Sequence, residues 1–161
     1  MKDNKKEKGF TIIELLVVVV VIGFLGTLVA TTFTDIQTKR RDDERKSDIT
    51  LLQAQVEKYF VAKTKYPSLS EFNNTTWRAT NTKGLEENTL KDPRWNSTTK
   101  CYDTKGKVGM SFETKSNCYV YQVKAANDGN CNNTTIDLDC TKYSLSATLE
   151  SGEIYQKQNL N

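Results

Sequence analysis

The sequence predicts an α+β fold, with one long N-terminal helix ahead of a small antiparallel sheet in a disulfide-stapled head. Three observations carry this prediction. Residues 15–30 are free of charge and mostly apolar, a helical stripe of apolar residues follows them, and the C-terminal third alternates apolar with polar residues in short runs. A chain of 161 residues suits one domain with an appendage.

The first element is the apolar run, residues 10–33. As a helix it would extend about 36 Å, enough to cross a hydrocarbon core of about 30 Å. Lys2, Lys5, Lys6 and Lys8 outnumber Asp3 and Glu7 ahead of it, which favours a cytoplasmic N-terminus. The run is longer than the apolar region of a cleaved secretory signal, and "TLVATTF" leads into charged helical sequence. A plain signal anchor would explain the length and the lysines. It would not explain Glu14, because a carboxylate at the centre of a spanning helix costs about 2.5–3.5 kcal/mol, and less near its end. Such a residue needs a partner.

The helix is expected to continue through residues 34–64. Ile49, Leu52, Val56, Tyr59 and Phe60 recur at spacings of three and four and make one stripe. Arg40/Glu44 and Asp42/Lys46 lie four apart and suit the opposite, solvated face. Tyr66-Pro67 is the expected stop.

Residues 65–161 form the expected head. Strands are predicted in "CYVYQVKA" (118–125), "KYSLSATL" (142–149) and, more briefly, "VGMSF" (108–112), with a hairpin turn at Ser151-Gly152 and a short last strand. The middle, 68–107, is rich in Thr and Asn and reads as loop with a turn or two of helix around "TKGLEENTLKDP". Cys101, Cys118, Cys131 and Cys140 all follow the apolar run and show no C-x-x-C spacing, so they read as two disulfides in an oxidising compartment, with free buried cysteines as the alternative. Three pairings exist, and the sequential one, Cys101–Cys118 with Cys131–Cys140, closes a local loop each time. Cysteines outside the cytoplasm also fix the orientation, which the charge flanks decide weakly because "KRRDDERK" (39–46) is basic too.

Several function classes lose support. The chain has no histidine, which removes Ser-His-Asp and Cys-His catalysis and the commonest catalytic zinc ligand. No P-loop, GxGxxG or GxSxG string occurs, so no residue set argues for an enzyme. Residues 64–161 carry 12 Lys+Arg against 11 Asp+Glu, so the basic stripe of a nucleic-acid binder is missing.

At "KGFTIIELLVVVVVIG" (8–23) the sequence resembles the class III signal of type IV pilins and type II secretion pseudopilins. In that family a membrane prepilin peptidase cuts after the glycine, the new terminal phenylalanine is N-methylated, and a glutamate five residues into the mature chain is the hallmark. The resemblance implies cleavage after Gly9, methylated Phe10 and an assembly role for Glu14. It implies a pilin fold divided into a leader (1–9), a membrane-spanning and fibre-core helix (10–33), its amphipathic continuation (34–64) and a head (65–161). It further implies a structural subunit that is not an enzyme. The precursor would be a single-pass cytoplasmic-membrane protein with its head outside, held in lipid and then assembled with other pilin subunits by an inner-membrane assembly platform into a cell-surface fibre. Many relatives carry a helix-kinking proline, whereas this chain has none before Pro67. Gly23, Gly26 and the Thr27/Thr31/Thr32 cluster are the residues left to loosen the helix.

"KYPSL", "LKDPRWN" and "YVYQV" are similar to the order seen in the heads of bacterial pseudopilin-like pilins. Major pseudopilins also hold calcium in a loop that "NDGNCNNTTIDLDC" resembles, with Asp128, Asp137 and Asp139 as oxygen ligands. Cys131 interrupts that loop and the expected glycines are missing, so a disulfide-closed loop without metal is the favoured reading, with no cofactor. A reading from another class is a signal-anchored extracytoplasmic binding protein that does not polymerise.

Overall fold

The computed structural model describes residues 9–102, 108–131 and 139–160, with the side chains of residues 29–31 left aside. The chain divides into two compact units, Met1–Lys39 and Arg40–Asn161. One helix, α1 (Ile12–Lys63), contributes to both.

In the first unit, α1 is apolar on every face over residues 15–26. Ile12, Ile13, Leu15, Leu16, Phe24 and Leu28 are all more than half exposed, and residues 17–22 are similar. A helix apolar all round has no solvated face and belongs inside lipid or a larger assembly. Full burial is worth about 1.5–3 kcal/mol for each such side chain. Two threonines turn inward on the backbone instead, Thr27 donating to the carbonyl of Phe24 and Thr32 to that of Leu28.

In the second unit, α1 becomes amphipathic as its stripe requires. Ile49, Leu52 and Val56 are fully buried, with Tyr59 nearly so. The helix ends at Lys63, four residues ahead of the proline. Thr64 takes φ 58 while its N–H reaches the carbonyl of Phe60 at 2.7 Å, a left-handed stop uncommon for a β-branched residue.

The middle region holds more helix than the sequence suggested. Ser68 and Glu71 form a reciprocal capping box that opens α2 (Leu69–Asn73), and Asn74 then caps α3 (Thr75–Asn81). "TKGLEENTLKDP" folds only as a single 3₁₀ turn, Glu87–Leu90.

The sheet is antiparallel, in the order β1 (Val120–Ala125), β2 (Cys140–Thr148), β3 (Ile154–Gln158). Tyr121 pairs with Leu145 and Val123 with Tyr143, so their side chains share the buried face with Ala125 and Ala147. Gly152, at φ 87, makes the β2–β3 turn where the sequence placed it. The expected strand at 108–112 does not form beyond one parallel bridge from Ser111 to Val120. Its ladder groups are taken by a side chain: Asn73 accepts from the Met110 N–H at 2.7 Å and donates to the Met110 carbonyl at 2.9 Å. Gly109 permits this approach, since a Cβ there would stand 2.7 Å from the Asn73 oxygen.

The core between α1 and the sheet is aromatic. Phe60 stacks on Tyr66 at 4.5 Å, Tyr66 meets Tyr143 edge-on at 4.6 Å, and Phe72 lies 5.5 Å from Tyr121. Cys101 is joined to Cys118 and Cys131 to Cys140, with all four sulfurs buried. The second disulfide lies beside the entry to α2, where the Cys131 carbonyl accepts from Leu69 and that of Cys140 from Tyr66.

Candidate assembly site

Gly9, Phe10 and Glu14 lie at the start of α1. Phe10 is 90% exposed, and the helix begins with a capping box that the sequence reading missed. Glu14 Oε2 accepts from the N–H and the hydroxyl of Thr11, each at 2.8 Å, and the Glu14 N–H reaches back to Thr11 Oγ1 at 3.3 Å. The signal was present in "TIIE", a Thr followed three residues later by Glu just ahead of an apolar run. Glu14 therefore has a partner in its own chain, and its charge stands where the helix dipole favours an anion. Its Oε1 makes no hydrogen bond among the described residues, so that lone-pair face is open to a second cation.

Within the second unit, ion pairs tie α1 to the head; of the four residues expected on the solvated face, Arg40, Glu44 and Lys46 are exposed and Asp42 is half-buried. Arg45 is 3% exposed. Its guanidinium grips Asp92 with two hydrogen bonds (2.7 and 3.1 Å) and also reaches Asp42 at 2.8 Å and Glu150 at 2.9 Å. Glu150 in turn takes Arg41 at 2.8 Å and Arg94 at 2.6 Å. Asp42 pairs with Arg45 three residues on and also accepts the backbone N–H of Glu150. One buried cation thus links α1, the segment after the 3₁₀ turn and the β2–β3 turn. Burial opposes its charge, but the bonds from Asp92 and Glu150 outweigh that and raise its pKa. Burial also works against the Glu150 carboxylate, yet Arg41 and Arg45 hold it below the usual range. A run of mixed charges does not reveal in sequence which member turns inward.

Further hydrogen bonds bind α1 to the rest of the head. Glu57 accepts from Tyr143 at 2.7 Å, Tyr66 at 3.3 Å and the Leu160 N–H at 3.0 Å. Tyr119, fully buried, donates to Asp48 at 2.7 Å. Burial pushes the Asp48 carboxyl up to about 6 against the pull of that bond, with the nearby charges of Glu44 and Asp92 adding to the rise.

Of the calcium candidates, Asp137 lies outside the described residues. Asp128 faces Lys142 Nζ at 3.4 Å, and among the described residues no three Cys, Asp or Glu side chains converge on a point that could hold a metal.

Residues 4–30 match the model of the prokaryotic N-terminal methylation motif. The chain carries that motif. Behind it stands a pilin-like α+β architecture, an apolar N-terminal helix continuing into a three-stranded antiparallel head. The chain is similar to the type II secretion system core protein G of Dickeya chrysanthemi, with 30% identity over 68 residues (42% of this chain, 44% of the relative). It is 32% identical over 71 residues to the type IV major pilin protein PilA of Myxococcus xanthus (44% of this chain, 31% of the relative). It is 31% identical over 71 residues to the core protein G of Escherichia coli (44% and 49%). The chain thus spans less than half the length of these curated relatives. No solved structure matches it.

Proposed function

We propose that the chain is a structural subunit of a type IV pilus or pseudopilus, which polymerises through its N-terminal helix into an extracytoplasmic fibre. The observation that carries this reading is Glu14, placed one turn into a helix whose apolar surface is exposed on all sides, within the methylation motif. Cleavage after Gly9 by a prepilin peptidase would leave an α-amine on Phe10, with an ordinary pKa of about 7.7–8.0. Stacking apolar helices into a fibre removes that ammonium from water, and an unpaired buried cation is costly. Glu14 can keep its cap on Thr11 through Oε2 and accept a neighbouring subunit's ammonium at Oε1. The pair neutralises both charges and fixes register, as a buried polar pair does in helical assemblies.

Before assembly the same apolar surface is covered by lipid. The paired cysteines support a head outside the cytoplasm, where disulfides persist. Delivery from membrane to fibre requires an assembly platform in the inner membrane. N-terminal sequencing of the cell-associated protein, from cells with an active prepilin peptidase, tests the processing step. It should begin at Phe10 and leave 152 of the 161 residues; a chain that still begins at Met1 would refute it.

A further inference from the structure

The face of the sheet turned away from α1 carries a charge arrangement that the fold does not require. Lys124 and Lys142 are direct cross-strand partners. Like charges at such positions repel, because their Cβ atoms stand about 4.5–5.5 Å apart. Their only relief among the described residues is weak: Lys142 reaches Asp128 at 3.4 Å with both groups more than half exposed, and Lys124 makes no ion pair. The next row along the sheet is Gln122, Ser144 and Gln158, aligned across all three strands. These six side chains line an open concavity of about 270 Å³.

The lining fits one chemistry best. Lys124, without an ion pair among the described residues, and Lys142, held only by the exposed Asp128, favour an anion, and a row of amides and a hydroxyl offers paired donors and acceptors of the kind that sugar hydroxyls satisfy. Tyr143 also lines the concavity, but it is buried, its ring packs on Tyr66 and its hydroxyl goes to Glu57, so no exposed aromatic ring is offered to a base. A stacking platform, the usual device for single-stranded nucleic acid, is thereby missing from this face. We propose that this face binds an acidic polysaccharide, with hexuronate carboxylates on Lys124 and Lys142 and ring hydroxyls on Gln122, Ser144 and Gln158. The site lies wholly within the second unit, so it does not depend on polymerisation.

The test uses the full chain in detergent micelles at physiological salt and measures equilibrium binding to three polymers: polygalacturonate fragments, dextran of matched length and duplex DNA. Polygalacturonate should bind most tightly. Lys124→Gln and Lys142→Gln should each weaken it about tenfold, the equivalent of one charge-assisted hydrogen bond at an open site. Asp128→Asn, which removes the competing carboxylate, should strengthen it, and Gln158→Ala should weaken it while leaving the salt dependence unchanged. Thermal midpoints of the four variants confirm that each is folded. Dextran or DNA binding as tight as polygalacturonate, or lysine variants with unchanged affinity, would overturn the proposal.

Discussion

Two roles meet at Glu14, and substitutions can separate them. Within its own chain the carboxylate caps Thr11 with two hydrogen bonds of 2.8 Å. Loss of an N-terminal cap costs about 1 kcal/mol. In an assembled fibre the same carboxylate is proposed to neutralise the Phe10 ammonium, and leaving a buried charge without its partner costs about 3–5 kcal/mol. The second effect is the larger, so fibre assembly should follow the charge and not the cap. Glu14→Gln keeps an oxygen for Thr11 but removes the charge, whereas Thr11→Val removes the hydroxyl and keeps the charge. Fibre yield against the membrane-bound pool should therefore fall by more than tenfold for both Glu14→Ala and Glu14→Gln, since about 1.4 kcal/mol is already a factor of ten. Thr11→Val should stay near wild type, and Glu14→Asp, with its shorter reach, should be intermediate. All four should still be inserted and cleaved after Gly9. Normal fibre yield from Glu14→Gln would refute the charge argument, as would a Thr11→Val variant as defective as Glu14→Ala.

Four further outcomes concern the second unit. Arg45→Met should destabilise it by about 3–5 kcal/mol because Asp92 is left buried without its cation, and adding Asp92→Leu should restore much of the loss, both read from denaturant midpoints. Asp48, with its carboxyl raised to about 6, contributes stability that is full below its unfolded value and is lost as pH rises through about 6. Asp48→Asn should therefore be the more stable form near pH 7.5, by about 1 kcal/mol after allowance for solvent at this half-exposed group, and should lose that advantage in acid; a thermal midpoint difference that does not change with pH would contradict this. Glu150 acts in the opposite sense, losing its stabilising contribution as pH falls through its depressed value. Opening Cys101–Cys118 by a double Ser substitution should cost about 3 kcal/mol through loop-closure entropy, and a thermal midpoint unchanged from wild type would argue against that stapling role.

Where one periodicity dominated, the fold was legible in sequence. The stripe of Ile49, Leu52 and Val56 is the buried face of α1, and the alternation in 118–125 and 142–149 yields β1 and β2 within two residues at each end. The Ser151-Gly152 turn was legible because few residues other than glycine adopt the φ that Gly152 takes. What escaped was decided by single side chains acting at a distance. Asn73 replaces a strand for Met110, which no alternation pattern records. Arg45 turns inward because Asp92 and Glu150, 47 and 105 residues away, meet it there. Gly9, Phe10 and Glu14 were read from the resemblance of "KGFTIIELLVVVVVIG", and residues 4–30 match the model of that motif. The cap from Thr11 was equally visible in "TIIE", a Thr followed three residues later by Glu.

Fibres sheared from cells that express the chain provide the most direct measurement. The account predicts that the sheared, sedimentable fraction contains this protein, with an intact mass equal to residues 10–161 with both disulfides closed and one added methyl group. If the protein is found only in the membrane fraction, cleaved or not, while fibres form without it, the proposal of a polymerising subunit is contradicted.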